Sequence, residues 1–126
     1  MNFTLKTSKY AKETLLQLQA STGITPNILI RYAVALSLRN NGEGAEIVPI
    51  TKDFSDGLVL NRSTVTGEYD YVLRALITQA AGRELSDEEY FPGFFNAHLE
   101  RGIRTLAGEY KSAGNYEKFI RALLLE

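Results

Sequence analysis

The chain has 126 residues, 44% hydrophobic and 23% charged, with a net charge of −1; this is ordinary globular usage and fits one domain with its own core. It contains no cysteine, which excludes disulfides, thiolate metal sites and cysteine nucleophiles. The first residues lack the apolar run of a signal peptide and no segment is apolar enough to span a bilayer, so a cytoplasmic protein without membrane contact is expected.

The charge is unevenly placed. Residues 1–39 hold Lys6, Lys9, Lys12, Arg31 and Arg39 against Glu13 alone, a net of +4, and the remainder is −5. That asymmetry points to a basic face for phosphate on an otherwise acidic body.

In chain order, Asn2, Thr4 and Lys6 alternate with Phe3 and Leu5, which is strand spacing. Ser8 is an N-cap candidate for a helix to Ala20 with Ala11, Leu15 and Leu18 on one stripe; Lys9 and Lys12 lie off it, and Gly23 fits its end. Thr25 and Pro26 form a start signal for a second helix, Pro26 to Arg39. Its interior is apolar almost all round, so it is expected to be buried by the C-terminal part, by another subunit, or by both. Strand, helix, turn and helix in this order are those of a ribbon–helix–helix module, in which a second copy supplies the partner strand.

After a polar loop at Asn40–Gly44, Ile47–Ile50 and Leu58–Val65 are short strands or extended loop around the Asp56–Gly57 turn signal. Tyr69, Val72, Leu73, Leu76, Ile77 and Ala80 mark a helix with Thr66 as candidate cap and Gly82 as its stop. Ser86 and Glu89 have capping-box spacing, and Pro92-Gly93 cuts that helix short. Phe95, Leu99, Ile103, Leu106 and Tyr110 define a longer helix ended by Gly114. Asn115 caps a last one carrying Tyr116, Phe119, Ile120, Leu123 and Leu124. The expected fold is therefore mainly α within a single domain. It comprises a ribbon–helix–helix-like module over 1–40, a loop with short strands or extended segments over 41–66, and a helical part over 67–126.

No set of residues suggests catalysis. His98 is the sole histidine, so an imidazole–thiolate zinc site is excluded, and a satisfied or surface histidine is expected. No serine is marked as activated. The glycines at 42 and 44 lack the Gly-Lys-Ser/Thr of a phosphate loop. Glu88 and Glu89 diverge on a helix, and Asp53 and Asp56 bracket a solvated turn. No enzyme activity, cofactor or metal is expected.

What remains suits nucleic acid. A ribbon of two first strands fits the major groove of double-stranded DNA, with Asn2, Thr4 and Lys6 toward base edges. Thr25 and Asn27 bring free N–H groups and the positive end of the second helix to one point, an anion site or a plain cap. Lys9 and Lys12 are either phosphate contacts or a solvated face. Arg62 either holds a phosphate or, with Asn61, fixes a loop through hydrogen bonds.

Two segments carry a resemblance. Thr22-Gly23-Ile24-Thr25-Pro26-Asn27-Ile28-Leu29-Ile30-Arg31, followed by Ala35-Leu36-Ser37-Leu38-Arg39, resembles the N-terminal part of the DndE family of DNA sulfur modification proteins. Leu60-Asn61-Arg62-Ser63-Thr64-Val65-Thr66-Gly67-Glu68-Tyr69-Asp70 resembles that family's central signature, and the likeness spans most of the chain. It implies a part in bacterial DNA phosphorothioation, in which sulfur replaces a non-bridging backbone oxygen while a cysteine desulfurase and other Dnd proteins perform the chemistry. It further implies a small homotetrameric subunit that binds DNA, nicked duplex in particular, through surface lysines, here Lys6, Lys9 and Lys12. The expected function is a non-catalytic DNA-binding subunit with Lys6, Lys9, Lys12, Thr25, Asn27 and Arg31 at the interface and Arg62 as an additional phosphate contact. The alternatives are an adaptor for the modification enzymes and a ribbon–helix–helix transcriptional regulator.

Overall fold

A computed structural model describes residues 4–39, 47–50 and 54–125. Asn2, Phe3, the loop Asn40–Gly44 and Asp53 lie outside the described residues. The elements in order are β1 (Thr4–Lys6), α1 (Lys9–Thr22), α2 (Pro26–Arg39), β2 (Val59–Asn61), α3 (Arg62–Thr66), α4 (Asp70–Ala81), α5 (Phe95–Ala113) and α6 (Tyr116–Leu125). The fold is mainly α, as expected.

Local chemistry sets most of the helix ends. Ser8 Oγ accepts the Ala11 amide at 3.1 Å and opens α1, and Gly23 at φ 77° closes it in the left-handed region where a side chain would be strained. The capping box forms reciprocally: Ser86 N donates to Glu89 Oε1 at 3.0 Å and Glu89 N to Ser86 Oγ at 3.2 Å. Phe91 then departs from helical geometry (φ −136°, ψ 116°) before Pro92, so the backbone bends and α5 starts afresh. Asn115 Oδ1 accepts the Lys118 amide at 2.9 Å and opens α6.

The core lies between α2 and α5. On α2, Leu29, Ile30, Ala33, Val34 and Leu36 are buried; on α5, Phe95, Leu99, Ile103 and Leu106 are, each large aliphatic contributing about 2 kcal/mol by leaving water. The two helices run antiparallel, with Ser37 against His98 and Arg101 and Ala33 against Gly102. They approach so closely that a Cβ on Gly102 would stand 1.8 Å from the Ala33 carbonyl oxygen. Much of the wrapping that the apolar second helix requires thus comes from the chain's own C-terminal part. Ile28 and Tyr32, one turn apart, still face outward.

Two expectations are corrected. The strand partner expected from a second copy is supplied by the chain itself: β1 pairs antiparallel with β2, Thr4 opposite Asn61, Leu5 opposite Leu60 and Lys6 opposite Val59. Burial of Leu5 fixes that register, because a slip by one residue would expose it. Thr66 does not cap α4: it precedes a 3₁₀ turn, Gly67–Tyr69, without a side-chain cap bond, its hydroxyl donates to the Arg62 carbonyl at 2.9 Å, and α4 begins at Asp70. Ile47–Ile50 forms no regular element, although Ile50 N donates to Gly93 O at 3.1 Å.

Candidate nucleic-acid interface

The start of α1 is pinned from three sides. Thr7 N donates to Leu58 O at 3.0 Å and Leu58 N to Thr7 Oγ1 at 2.9 Å. Asn96 Nδ2 donates to Lys6 O at 3.0 Å. Ser8 N and Oγ both donate to the Glu100 carboxylate on α5, which places a negative charge at the positive end of α1.

From this fixed start Lys9 projects into solvent and Lys12 is half-exposed, one turn on. Neither has an ion-pair partner among the described residues. Lys6 is half-exposed on β1. Between the two α1 lysines Tyr10 is exposed, and Arg104 of α5 lies over its ring, 4.8 Å from the centroid.

Thr25, Asn27 and Arg31 are elsewhere. They sit at the start of α2, beyond the 14-residue length of α1, which puts Thr25 about 20 Å along from Lys9. Thr25 is exposed and its carbonyl accepts the Leu29 amide at 3.0 Å. Asn27 Nδ2 reaches Thr64 O at 3.5 Å. Arg31 donates from Nε to Val65 O at 2.7 Å and from Nη2 to Thr64 O at 3.1 Å, so it satisfies carbonyls at the end of α3 that the helix leaves open. Gly67 accommodates this: a Cβ there would lie 2.8 Å from Arg31 Nη2.

Arg62 is only 9% exposed. Its Nε and Nη2 form a fork onto Asp70 Oδ2 and Oδ1, both at 2.8 Å, a bidentate geometry. The guanidinium carbon stands 5.1 Å from the Tyr90 ring centroid and 4.8 Å from that of Phe91. Hydrogen bonding to Arg62 holds the Asp70 carboxyl below its usual range. The segment Leu60–Asp70 that carries the family resemblance is therefore a folding knot: Arg62 ties α3 to α4, and Arg31 ties both to α2.

His98 is buried, and its Nδ1 lies 2.8 Å from Ser37 Oγ. Arg101 donates to the same hydroxyl from Nε at 2.8 Å and to Ser37 O from Nη2 at 2.7 Å. The serine therefore accepts from Arg101 and donates to an imidazole that is neutral at Nδ1. Burial, with the Arg101 charge close by, pushes His98 down to about 4. Among the described residues no three His, Cys, Asp or Glu side chains cluster as metal ligands. No described helix is long and apolar enough to cross a membrane.

The structure thus brings Lys6, Lys9 and Lys12 to one end of α1, engages Asn27 and Arg31 in tertiary hydrogen bonds, and buries Arg62. Sequence reasoning passed over Arg104. Its position one residue after Ile103 marks it as outward-facing, but nothing local reveals that it meets Tyr10, ninety-four positions earlier.

The family profile described as DNA sulphur modification protein DndE matches residues 4–124. The crystal structure of DndE from Escherichia coli B7A, involved in DNA phosphorothioation modification, superposes with a TM-score of 0.65 at 27% identity, covering 84% of this chain and 97% of that one. A DndE glycine-to-lysine double mutant, involved in DNA phosphorothioation, shares the fold with a TM-score of 0.63 at 24% identity, covering 86% of this chain and 99% of that one. No curated protein matches the chain. With nearly its whole length matched, including the Arg62–Asp70 knot and the α2–α5 core, the chain belongs to the DndE family of DNA sulphur modification proteins.

Proposed function

We propose that this protein is a non-catalytic, cytoplasmic DNA-binding subunit of a DNA phosphorothioation system, docking on duplex DNA, nicked duplex in particular, as a homo-oligomer of the tetrameric kind. The observation that carries the proposal is the start of α1, where Lys9 and Lys12 stand outside without ion-pair partners among the described residues, on a segment anchored by Glu100 and Asn96. Lysines on a rigid base neutralise backbone phosphates and release counterions, an affinity with little sequence preference. Lys6 extends the same end. Thr25 belongs to a second, separate anion point at the start of α2, where Asn27 and Arg31 shape the surface through their bonds to Thr64 and Val65. Arg62, buried on Asp70, is left out of the interface. A non-catalytic role agrees with the sole histidine being buried on Ser37.

An adaptor role toward other sulfur modification proteins is favoured by one feature. The outer face of α4 is apolar, with Tyr71 90%, Val72 55% and Leu76 44% exposed; such patches serve association. A ribbon–helix–helix regulator finds no support, because β1 is already paired within the chain.

The test is a salt titration of binding to intact and nicked duplexes, with wild type and the Lys9→Glu/Lys12→Glu variant. Removing both lysine–phosphate interactions should lower the slope of log affinity against log salt by about 2. A variant that binds as wild type at every salt concentration overturns the assignment of the DNA face.

A further inference from the structure

We infer that Arg104, propped by Tyr10, is a DNA-phosphate contact that carries the basic face from α1 across to α5; the inference rests on the DNA-binding reading above. Five described arginines stand over aromatic rings: Arg31, Arg62, Arg74, Arg83 and Arg104. Four of them also donate to an acceptor within the fold. Arg31 bonds Val65 O, Arg62 bonds Asp70, Arg74 bonds Asp87 and Arg83 bonds Glu89. Arg104 alone among these five has no hydrogen-bond acceptor or carboxylate among the described residues.

The absence of a carboxylate partner has a cause in the sequence. Glu100 precedes Arg104 by one turn, the spacing at which a glutamate and an arginine pair on a helix surface. Its carboxylate is instead taken by Ser8 N and Oγ at the start of α1. The contact that anchors α1 therefore withholds from Arg104 its natural neighbour. Tyr10 supplies the support, a ring 4.8 Å beneath the guanidinium carbon, which limits the side chain's freedom without occupying its N–H fork. Lys9 and Lys12 flank Tyr10 in sequence. One turn beyond Arg104, Gly108 has no atom within 4 Å of where a Cβ would sit, and Lys111 follows, exposed. A sugar–phosphate strand can lie close against such a bare, cationic surface, and a fork with its donors available matches phosphate oxygens bidentately.

The test uses the full-length chain and a fluorescent duplex, with anisotropy read over a salt series. Arg104→Gln should lower the salt slope by about 1 and weaken binding uniformly across sequences. Arg104→Lys should keep the slope with reduced affinity. Tyr10→Phe should bind as wild type. Tyr10→Leu should weaken binding in the Arg104 background and have no further effect in the Arg104→Gln background. An Arg104→Gln variant with wild-type slope, when Lys9→Glu/Lys12→Glu has lost its own, overturns this inference and spares the DNA-binding reading. A wild type that binds no duplex overturns both. A Tyr10→Leu loss undiminished by Arg104→Gln shows that the ring acts on DNA directly and refutes the propping role.

Discussion

Two glycines on one helix should respond to the same substitution with opposite signs. A methyl group at Gly102 would lie 1.8 Å from the Ala33 carbonyl oxygen, 2.4 Å from its carbon and 2.9 Å from its Cα. All three are backbone atoms of α2, so no rotamer change relieves the overlap. Ordinary contact requires α2 and α5 to part by roughly 1.5 Å, and a gap of that size forfeits more than half of each affected dispersion contact. The side chains at risk are Leu29, Ile30, Val34, Leu99 and Ile103, all fully buried. Overpacking of this severity costs about 3 kcal/mol or more, against a gain of about 1 kcal/mol from replacing glycine in a helix. Gly102→Ala should therefore lose at least about 2 kcal/mol. Gly108→Ala meets open space and should keep the whole gain of about 1 kcal/mol. In urea unfolding followed by circular dichroism, the midpoints should move about 1 M or more down and about 0.5 M up, for a slope near 2 kcal/mol per molar. Shifts of both variants in the same direction would refute the close approach of the two helices.

Two further perturbations probe the buried polar groups. Because His98 is held down at about 4 against about 6.5 in an unfolded chain, its contribution is complete above pH 6.5 and is lost as pH falls toward 4, about 3 kcal/mol in all. Stability measured across that window should fall in wild type and stay nearly level in His98→Gln; equal slopes would show that His98 is not the titrating group. Asp70→Asn leaves the Arg62 guanidinium buried without its counter-charge, and should cost about 2 kcal/mol at neutral pH, discounted from the full penalty because Asp70 is part-exposed. Its depressed carboxyl stabilises the fold above the usual carboxylate range and ceases to do so as pH drops through its own, so the variant should also lose acid sensitivity below about pH 4. A change under about 0.5 kcal/mol would argue that the fork is incidental.

What the sequence made legible was local. Ser8, Pro26, Gly82, the Ser86–Glu89 pair, Gly114 and Asn115 each act within four residues, and the helices begin or end where those residues direct. The contacts that determine tertiary arrangement act over long separations and leave no periodic mark. Thr4 meets Asn61 across β1 and β2, a pairing that the strand spacing alone assigned to a second copy. Arg62 reads in sequence either as a phosphate contact or as a loop-fixing residue, because Asp70, Tyr90 and Phe91 come together around it only after α3, α4 and the bend before α5 are in place. Gly102 reads as an unremarkable helix glycine until Ala33 is brought against it. The exposure of Lys9 followed from helical spacing; the pairing of Tyr10 with Arg104 required the fold.

The anchoring of α1 bears on the order in which the protein is built. Lys6 is held by Asn96, Ser8 by Glu100 and Thr7 by Leu58. A ribosome delivers residues 4–10 before every one of these clasps, the last of them 92 positions after Ser8. The lysine-bearing segment is thus made before its anchors and settles only after them. Nascent chains stalled before Glu100 clears the exit tunnel would carry the charges of Lys6, Lys9 and Lys12 on a segment that nothing yet fastens.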